Sequence, residues 1–474
     1  MSDRPPAFPT LAHILDIVGV VSLLLAVTVF FTGGFREWTP LGRISVTSWG
    51  RPLAVALILL GLRHWLVLRP TMFTRARIGL TRAWTSPGVR VAFPLMLTTC
   101  GGALLIGFLA VSLFGYRPDV RAPWRMHENE FLNLPARWDT GWYLGVAVEG
   151  YSWNPAGVTR QQNIAFFPLY PMLMRYGSLL LARNVMWTGV VISWLSYLCA
   201  LVYLFRLARH KFDDEKASAG VALLACYPFA FFFSTAYTEA LFLLTVVAAC
   251  YHFERNELWR AAAWGLAAGL TRPNGCLLSV VLALMAVGPL WPNLRAAWRP
   301  VRPSTGWSGI ADRIAVAAAP GIGMLIYSTY VYYLTGNPLQ WAVQNAAWGR
   351  VYRGLDDFVA QQAQRIGEHG LYSFAATRTI DALQLAAVLF MLATVVPVFR
   401  RLGAPYAAMI LVNILPPLMM GGLLSMGRVT SVLFPTFIWL GAAIPSTQRP
   451  AWLGIFAMLQ AICAALFFTW RPLY

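Results

Sequence analysis

Long apolar segments separated by short polar links dominate the hydrophobic pattern of this chain. About 20 mainly apolar residues suffice for a helix that crosses a bilayer. The pattern therefore predicts an all-α polytopic membrane protein with about 11 to 13 spans, the count depending on one segment that is interrupted by TRPNG. The predicted spans are 11–33, 52–68, 91–115, 185–207, 217–235, 238–253, 258–288, 315–335, 379–399, 406–424, 431–445 and 451–469.

Two longer polar stretches, about 116–184 and 336–378, interrupt this series and are predicted to be outer loops. The first contains the segment 166–182, whose prolines and Arg175 favour a helix lying at the membrane surface over a further span. We expect residues 1–90 to form a two-span extension with a basic link. Residues 91–474 are then the larger, catalytic unit.

Arginine and lysine in the short links predict the orientation, because such links lie in the cytoplasm. With these groups inside, both long loops lie on the outer face of the membrane, which is expected to be the plasma membrane. No cleavage site of small residues follows the first apolar run, so the N-terminal segment is expected to be an uncleaved first span. The groups are Arg69, Arg75, Arg77, Arg82 and Arg90; Arg206, Arg209, His210 and Lys211; Arg295, Arg299, Arg302 and Arg313; and Arg400 and Arg401.

Composition agrees with a membrane protein and removes other classes. The chain is 58% hydrophobic and 12% charged, whereas soluble domains are about 45–50% apolar and about 25% charged. The net charge of +18 is accounted for by cytoplasmic links that face anionic lipid, and no basic patch with interleaved aromatic residues predicts nucleic-acid binding. The six cysteines lie in apolar segments without a CxxC pair, so neither disulfides nor a zinc site is predicted.

Asp139, in the first outer loop, is the leading candidate for a catalytic group. A carboxylate beside Trp138, with Trp142 and Tyr143 one turn on, has an apolar surround that suits a general base. The alternative is an N-cap for the helix that RWDTGWYLGVAVEG predicts. Glu149 follows ten residues later, where it either faces the same side or is a solvated surface acid.

Three charged residues at predicted breaks or turns between spans are candidates for a binding site. Glu239 begins an apolar span, where a charge is costly and often functional. Arg272, in TRPNG, interrupts an apolar run, and free backbone N–H groups beside an arginine suit a phosphate. Arg428 in SMGRVTS has the same character. The alternatives are a solvated turn for Glu239 and arginines that extend to the interface.

Other polar groups have simpler alternative roles. Gln344, Trp348 and Arg350 lie at helical spacing and suit sugar hydroxyls, although a tryptophan near an interface also serves as an anchor. His127 and Glu128 give too few ligands to predict a metal, and no cofactor is predicted. Asp16 and His13 are expected to form a structural pair in the first span.

Six motifs occur in one order along the chain. They are RWD..WY....EGY, NIAFFPLYP, AYTEALF, AGLTRPNG, TGNPLQW..Q..WGR and GR....LFP. In this order and on one predicted face, they resemble bacterial relatives of the PIG-V type of GPI mannosyltransferase, within the GT-C superfamily. The resemblance covers roughly residues 131–440.

The resemblance implies a GT-C-like bundle that takes a sugar from a polyprenyl-phosphate donor. It implies that Asp139 activates the acceptor hydroxyl and that Arg272 and Arg428 hold the donor phosphate. The remaining residues assigned to substrate binding are Arg137, Trp138, Trp142, Glu239, Gln344, Trp348 and Arg350. Asn337 stands where an aspartate is expected, so no second acid is predicted there.

The resulting hypothesis is an inverting transfer of mannose from polyprenyl phosphate mannose to a lipid-linked or cell-envelope glycan. The chain looks bacterial, which disfavours GPI as the acceptor, and mannose is implied by the family alone. One alternative is a GT-C enzyme with another polyprenyl-phosphate sugar. Another is a transporter or flippase, because a broken helix at membrane depth also suits transport.

Overall fold

A computed structural model describes residues 9–39, 42–66, 72–118, 125–157, 159–288 and 307–473. Four members of the predicted cytoplasmic basic groups, Arg69, Arg295, Arg299 and Arg302, lie outside these residues.

Helices make up most of the first half of the described chain, with one short β-hairpin. The elements are α1 Pro9–Thr32, β1 Phe35–Thr39, β2 Gly42–Val46, α2 Gly50–Leu66, α3 Met72–Thr85, α4 Pro87–Phe114, α5 Glu130–Asn133, α6 Thr140–Glu149, α7 Leu169–Gly177, α8 Val185–Arg209, α9 Asp214–Ala225, α10 Glu239–Glu254, α11 Leu258–Thr271 and α12 Leu278–Val287. Strands β1 and β2 pair antiparallel, Phe35 opposite Val46.

The second half of the described chain is helical. Its elements are α13 Trp307–Ala317, α14 Ala319–Thr335, α15 Gln340–Val343, α16 Leu355–Thr377, α17 Thr379–Ala393, α18 Val395–Leu402, α19 Ala404–Gly421, α20 Met426–Ser431, α21 Phe434–Ala443 and α22 Arg449–Phe468. The predicted outer loop 336–378 is thus largely helical, with a kink at Gly370.

Six helices among the described residues are long and apolar enough to cross a membrane, and three shorter apolar helices accompany them. The predicted all-α polytopic class is therefore confirmed. The count of about 11 to 13 spans stays a prediction. The long helices are Pro87–Phe114, Val185–Arg209, Gly309–Thr335, Thr379–Leu402, Ala404–Gly421 and Arg449–Phe468.

Helix α10 lies at the centre of the bundle. Its sequence, EALFLLTVVAACYHFE, is apolar on all sides, which is the pattern of a helix enclosed by others. It packs against α8 on one side and α11 on another, and Glu239 at its first residue is fully buried. The centre of the bundle thus places a carboxylate at one end of α10.

The helix break predicted at TRPNG is present between α11 and α12. Helix α11 ends at Thr271, Arg272 is extended (φ −151°, ψ 155°), and a 3-10 turn covers Pro273–Leu277. Proline cannot continue the α11 hydrogen-bond pattern, and a Cβ at Gly275 would overlap the carbonyl of Ala268. The break therefore follows from the residue types at 273 and 275.

The predicted span 217–235 is wrong at its second half. Helix α9 ends at Ala225, just before Pro228, and the chain then forms a 3-10 turn over Ala230–Ser234. The segment YPFAFFFSTAY is apolar enough for a span, but proline stops the helix and the aromatic rings pack into the bundle centre. This compact turn brings residues 232–239 next to the first outer-loop segment.

Helix α7, at nine residues, is too short to cross a bilayer. This length agrees with the surface helix predicted for segment 166–182. Helices α1 and α2 pack on each other, and Arg63 Nε donates to Asp16 Oδ1 at 2.7 Å in their interface. Asp16 was expected to pair with His13, whose side chain lies outside the described residues. The assignment of residues 1–90 as a separate extension stays a prediction.

Candidate active site

Asp139 lies directly before α6, at the N-cap position, but its side chain makes no capping hydrogen bond. The preceding residue, Trp138, has a φ of 46°, a left-handed conformation that non-glycine residues rarely adopt. The Asp139 N–H donates to the Tyr237 hydroxyl at 3.1 Å. The backbone is therefore anchored by Tyr237, and the carboxylate turns away from the helix end. The N-cap alternative is wrong for the Asp139 side chain.

A chain of ion pairs joins four residues from distant parts of the sequence. Arg428 Nη1 donates to Asp139 Oδ2, and Arg428 Nε donates to Glu239 Oε1 at 2.7 Å. Arg272 Nη1 donates to the same Glu239 oxygen at 2.6 Å. The order is thus Asp139, Arg428, Glu239, Arg272. We call these four residues the ion-pair cluster.

The ion-pair cluster is enclosed by protein. The side chains of Glu239, Arg428, Arg272 and Asp139 are 0%, 7%, 15% and 21% exposed. Charges so far from water are tolerated only when they are paired and hydrogen-bonded. Asp139 is the most exposed of the four, as a group that meets a substrate should be. Its surround is charged, contrary to the apolar surround expected from the sequence.

Aromatic rings cover the two arginines of the ion-pair cluster. The guanidinium carbon of Arg428 lies 4.8 Å from the ring centre of Tyr237 and 5.5 Å from that of Phe232. That of Arg272 lies 5.7 Å from the ring centre of Phe242. Stacking on ring faces adds cation–π attraction and fixes the guanidinium planes.

The ion-pair cluster keeps hydrogen-bonding capacity for a ligand. Among the described residues, Arg428 Nη2 and Arg272 Nη2 have no hydrogen-bond partner. Asp139 Oδ1 and Glu239 Oε2 accept no hydrogen bond from these residues either, and Glu239 Oε2 is fully buried. A buried acceptor without a donor costs about 1–3 kcal/mol. Hydrogen-bond donors and acceptors are therefore both available where the four side chains of the cluster meet.

Arg350 adds a third guanidinium close to the ion-pair cluster. Its side chain lies against Gly421 and makes no ion pair with any residue that the structure describes. Burial, together with the charges of Arg428 and Arg272, lowers the pKa of Arg350 to about 10, and Asp139 acts in the opposite direction. Three arginines thus face two carboxylates, which leaves an excess positive charge for an anion.

An aromatic wall stands beside Asp139. Trp142 stacks on Phe166, with ring centres 5.7 Å apart and an interplanar angle of 13°. Trp348 packs edge-to-face with both rings, and its ring centre lies 5.7 Å from each of theirs. Flat aromatic surfaces next to polar groups suit the apolar faces of sugar rings. Trp142 and Trp348, far apart in sequence, are brought together as candidate substrate contacts.

Tyr143, one turn after Asp139, is buried on the inner side of α6. Its hydroxyl lies 3.2 Å from that of Thr238. Burial raises the pKa of Tyr143 to about 12, so the phenol stays neutral at physiological pH. Tyr143 therefore ties α6 to the residues before α10 without competing as a base.

Two residues assigned to substrate binding have structural contacts instead. The Arg137 guanidinium is buried and donates to the carbonyls of Phe468, Asn133 and Ala136 at 2.8–2.9 Å. Gln344 is fully buried, and its Nε2 donates to the carbonyl of Arg160. The bond from Arg137 to Phe468 holds the loop that carries Asp139 against the end of α22, and the Gln344 bond holds the turn at 344 against the loop at 160. They favour positioning roles for both side chains.

Trp138 also faces protein, since its ring packs on Trp470 with centres 5.0 Å apart. Glu149 is exposed at the end of α6, in agreement with the solvated alternative. In the MHENE segment, Glu130 accepts from Tyr116 at 2.6 Å and from Arg125. Glu130 of this segment therefore forms local structural contacts.

Sequence reasoning missed Tyr237, which holds both the Asp139 backbone and the Arg428 guanidinium. Phe166 was likewise not assigned to the site. Both lie inside quoted motifs, AYTEALF and NIAFFPLYP. Tyr237 lies two residues before Glu239 in its motif, whereas the motif of Phe166 contains no charged residue. Membership of these motifs is the one signal that could have found both.

Comparison with known proteins supports the motif-based expectation. Residues 124–295 match the family model described as mannosyltransferase (PIG-V). GPI mannosyltransferase 2 of Drosophila pseudoobscura pseudoobscura is 27% identical over 213 residues, 42% of this chain and 44% of that protein. Human GPI alpha-1,6-mannosyltransferase 2 is 30% identical over 155 residues, 31% of this chain and 30% of that protein. The matches thus span less than half the length of these curated relatives.

Among solved structures, this chain is similar to the oligosaccharyltransferase of Archaeoglobus fulgidus, with a TM-score of 0.41 and 11% sequence identity. The match covers 79% of this chain and 53% of the oligosaccharyltransferase chain. The fold and the ion-pair cluster define an α-helical, multi-pass membrane protein with a buried charged site. The resemblance to PIG-V mannosyltransferases is confirmed for residues 124–295, which include Asp139, Glu239 and Arg272.

Proposed function

We propose that this protein is a membrane glycosyltransferase that transfers mannose from polyprenyl phosphate mannose to a hydroxyl of a lipid-linked or cell-envelope glycan. The observation that carries the proposal is the ion-pair cluster, in which a partly exposed carboxylate, Asp139, shares Arg428 with a buried one, Glu239. The PIG-V-like region contributes three of its four members. The mannosyltransferase activity in the names of these relatives supports the choice of mannose.

Arg350, Arg428 and Arg272 are proposed to hold the donor phosphate. A phosphate diester carries one negative charge and gains another as it leaves, which matches the excess of guanidinium over carboxylate groups. Within the described ranges, Arg350 contributes a cation without an ion pair, and Arg428 Nη2 and Arg272 Nη2 contribute free donors. Because Arg272 and Arg428 are fixed by Glu239, they need little reorganisation when the leaving group develops its charge.

Asp139 is proposed to act as the base in a single inverting displacement. Its free oxygen, Oδ1, accepts the proton of the acceptor hydroxyl while the acceptor oxygen forms the new bond to the anomeric carbon. The bond from the anomeric carbon to the phosphate oxygen breaks, and the electron pair leaves with the lipid phosphate. Arg428 orients the carboxylate through Oδ2, and the Tyr237 hydroxyl fixes the backbone.

The aromatic wall formed by Trp142, Phe166 and Trp348 is proposed to bind a sugar ring. Trp142 lies three residues after Asp139, and the other two rings pack on it. This position supports contact with the sugar that is transferred or extended. The basic links support a site on the outer face of the plasma membrane, because they favour a cytoplasmic location for the opposite end of the bundle.

A transporter or flippase is the second candidate, and the helix break at Arg272 favours it. Broken helices with buried charges bind substrates at membrane depth in many transporters. Such a protein would bind the lipid-linked sugar and move it without breaking the glycosidic bond. The two functions therefore differ in the fate of one covalent bond.

A donor panel tests the proposal. The purified full chain, in vesicles that contain bacterial envelope glycolipids, is given polyprenyl phosphates that carry labelled mannose, glucose or arabinose. We expect label from mannose alone to enter a new glycolipid. Label from another sugar would move the assignment to a different donor. Intact donor found in the opposite leaflet, with no new glycosidic bond, would replace the enzyme by the transporter.

A further inference from the structure

A second polar region adjoins the ion-pair cluster, where α16 meets the end of α19. A cavity of about 590 Å³ lies between α16 and the segment 418–424. Helix α19 contains Pro416 and Pro417 and ends at Gly421. Prolines inside a helix remove backbone hydrogen bonds and open its packing. The volume is within the range of about 300–1,000 Å³ that is common for sites of small ligands.

The walls of this cavity carry more positive than negative charge. Three arginines line it against two aspartates, and Arg378 pairs with Asp381 at 3.5 Å. The guanidinium groups of Arg353 and Arg365 make no ion pair or hydrogen bond with the residues that the structure describes. The cavity therefore presents two unpaired cations.

A buried amide points to a ligand independently of the charge. Gln362 lines the cavity and is 7% exposed, yet its Oε1 has no hydrogen-bond partner among the described residues. A buried acceptor is normally satisfied. A ligand with a hydroxyl group beside its anion would supply the missing donor.

Apolar residues complete the lining and extend along the outside of α16. Phe358 and Leu418 lie in the cavity wall. On the same helix, Leu355 and Val359 are 37% and 55% exposed at a spacing of four residues, which places them on one face. A polar head in the cavity could thus be continued by an apolar tail along α16.

The cavity is connected to the ion-pair cluster by direct neighbours. Gly349 and Gly421 line it, and the Arg350 side chain lies over Gly421. In an adjoining cavity, Gln384 forms part of the wall and accepts a hydrogen bond from the N–H of Gly427. A ligand in the first cavity would lie beside Arg350.

We propose that this cavity binds the headgroup of an anionic membrane phospholipid that bears free hydroxyls, with its phosphate on Arg353 and Arg365 and a hydroxyl on Gln362. Guanidinium groups bind phosphate oxygens by charge-assisted hydrogen bonds, and basic pockets beside membrane helices hold anionic headgroups. This site is separate from the one assigned to the sugar donor, and its occupancy does not depend on the proposed reaction.

The test measures lipid retention by the full chain. The protein is reconstituted with phosphatidylcholine and phosphatidylglycerol, extracted, and its bound lipid is counted by native mass spectrometry. The variant R353Q/R365Q removes the two unpaired cations. The matched control R400Q/R401Q removes two exposed arginines that the topology places at the other end of the bundle.

We expect the wild type and R400Q/R401Q to retain phosphatidylglycerol in preference to phosphatidylcholine, and R353Q/R365Q to bind it about tenfold more weakly at unchanged melting temperature. Equal retention by both variants would overturn the proposal. Arms with inorganic phosphate and with a short polyprenyl phosphate identify the source of the anion. Arginine-dependent displacement of the phospholipid by either compound would reassign the cavity to a soluble anion or to the donor lipid.

Discussion

At the scale of single residues, Glu239 is the group on which the site depends structurally. One of its oxygens accepts hydrogen bonds from two arginines, and the side chain has no contact with water. Removing one partner from a buried ion pair leaves uncompensated charge and costs about 3–5 kcal/mol. A surface pair contributes about 0–1 kcal/mol, because water screens it.

The substitution Glu239→Gln is therefore expected to destabilise the protein by about 3–5 kcal/mol, measured by denaturant or thermal unfolding in detergent. The control Glu215→Gln breaks the pair between Arg449 and an acid that is 69% exposed, and should change stability by about 1 kcal/mol or less. Equal stability of the two variants would show that Glu239 does not hold the arginines together.

Arg350 forms no ion pair with the described part of the chain, so its role is predicted to be in donor binding. Arg350→Gln should raise KM for the donor about tenfold or more at little change in kcat, because a charge-assisted hydrogen bond is worth about 1.5–3 kcal/mol. Melting temperature should stay unchanged. Arg160→Gln, at an exposed loop position, is the control. A fall in kcat at constant KM would assign Arg350 to the transition state alone.

The pH dependence gives a second readout for the same residue. With its pKa lowered to about 10, Arg350 is charged below that pH and neutral above it. In the wild type, kcat/KM for the donor should therefore fall as pH rises through about 10. This limb of the profile should be missing in Arg350→Gln.

The residues that could be predicted are those whose chemistry is local. Asp139, Glu239, Arg272 and Arg428 are rare charges between apolar segments, so they stood out. Arg137 and Gln344 have the same character, but their partners are carbonyls of Phe468 and Arg160. A local sequence pattern does not disclose such distant bonds. It therefore could not tell whether Arg137 and Gln344 contact substrate or hold the structure.

At the scale of elements, the break between α11 and α12 positions Arg272. A Cβ at Gly275 would overlap the carbonyl of Ala268. Gly275→Ala should therefore push the 3-10 turn away from α11, destabilise the fold by about 1–3 kcal/mol and lower activity by displacing Arg272. Thermal unfolding and transfer assays measure both effects.

The matched control is Gly101→Ala in α4, where a Cβ would meet open space. That variant should be neutral or slightly more stable. The account of the break would be refuted by a Gly275→Ala protein as stable and active as this control.

Most helices followed from the apolar pattern, but the segment after Ala225 did not. Hydropathy cannot distinguish a continued helix from an aromatic-rich 3-10 turn, since both are buried. Pro228 was the available signal for a helix end. The turn contributes to the site because it positions the rings of Phe232 and Tyr237 against the Arg428 guanidinium.

At the scale of the whole molecule, the proposed orientation assigns α16 to the outer side and the start of α9 to the cytoplasm. Cysteines introduced at Glu215 and Ala360, both exposed, test this. An impermeant thiol reagent should label Ala360→Cys in intact cells and Glu215→Cys only after permeabilisation. The reverse pattern would place the ion-pair cluster on the cytoplasmic side.

The convergence of distant segments at one end of the bundle is the feature that pattern and charge together could predict. The orientation rule placed Asp139, Glu239, Arg272 and Arg428 on one face, and the structure joins them in one network. The order of their pairing depends on three-dimensional packing around α10, and no sequence rule gives it.

The most direct test of the account is sugar transfer by Asp139→Asn, compared with wild type and with the exposed-acid control Glu149→Gln. Vesicles that hold each protein receive labelled polyprenyl phosphate mannose, and label is followed into glycolipid. Loss of the base should slow transfer by about a hundredfold or more in Asp139→Asn, with normal folding and donor binding. Glu149→Gln should match wild type. Transfer by Asp139→Asn at the wild-type rate would contradict the account.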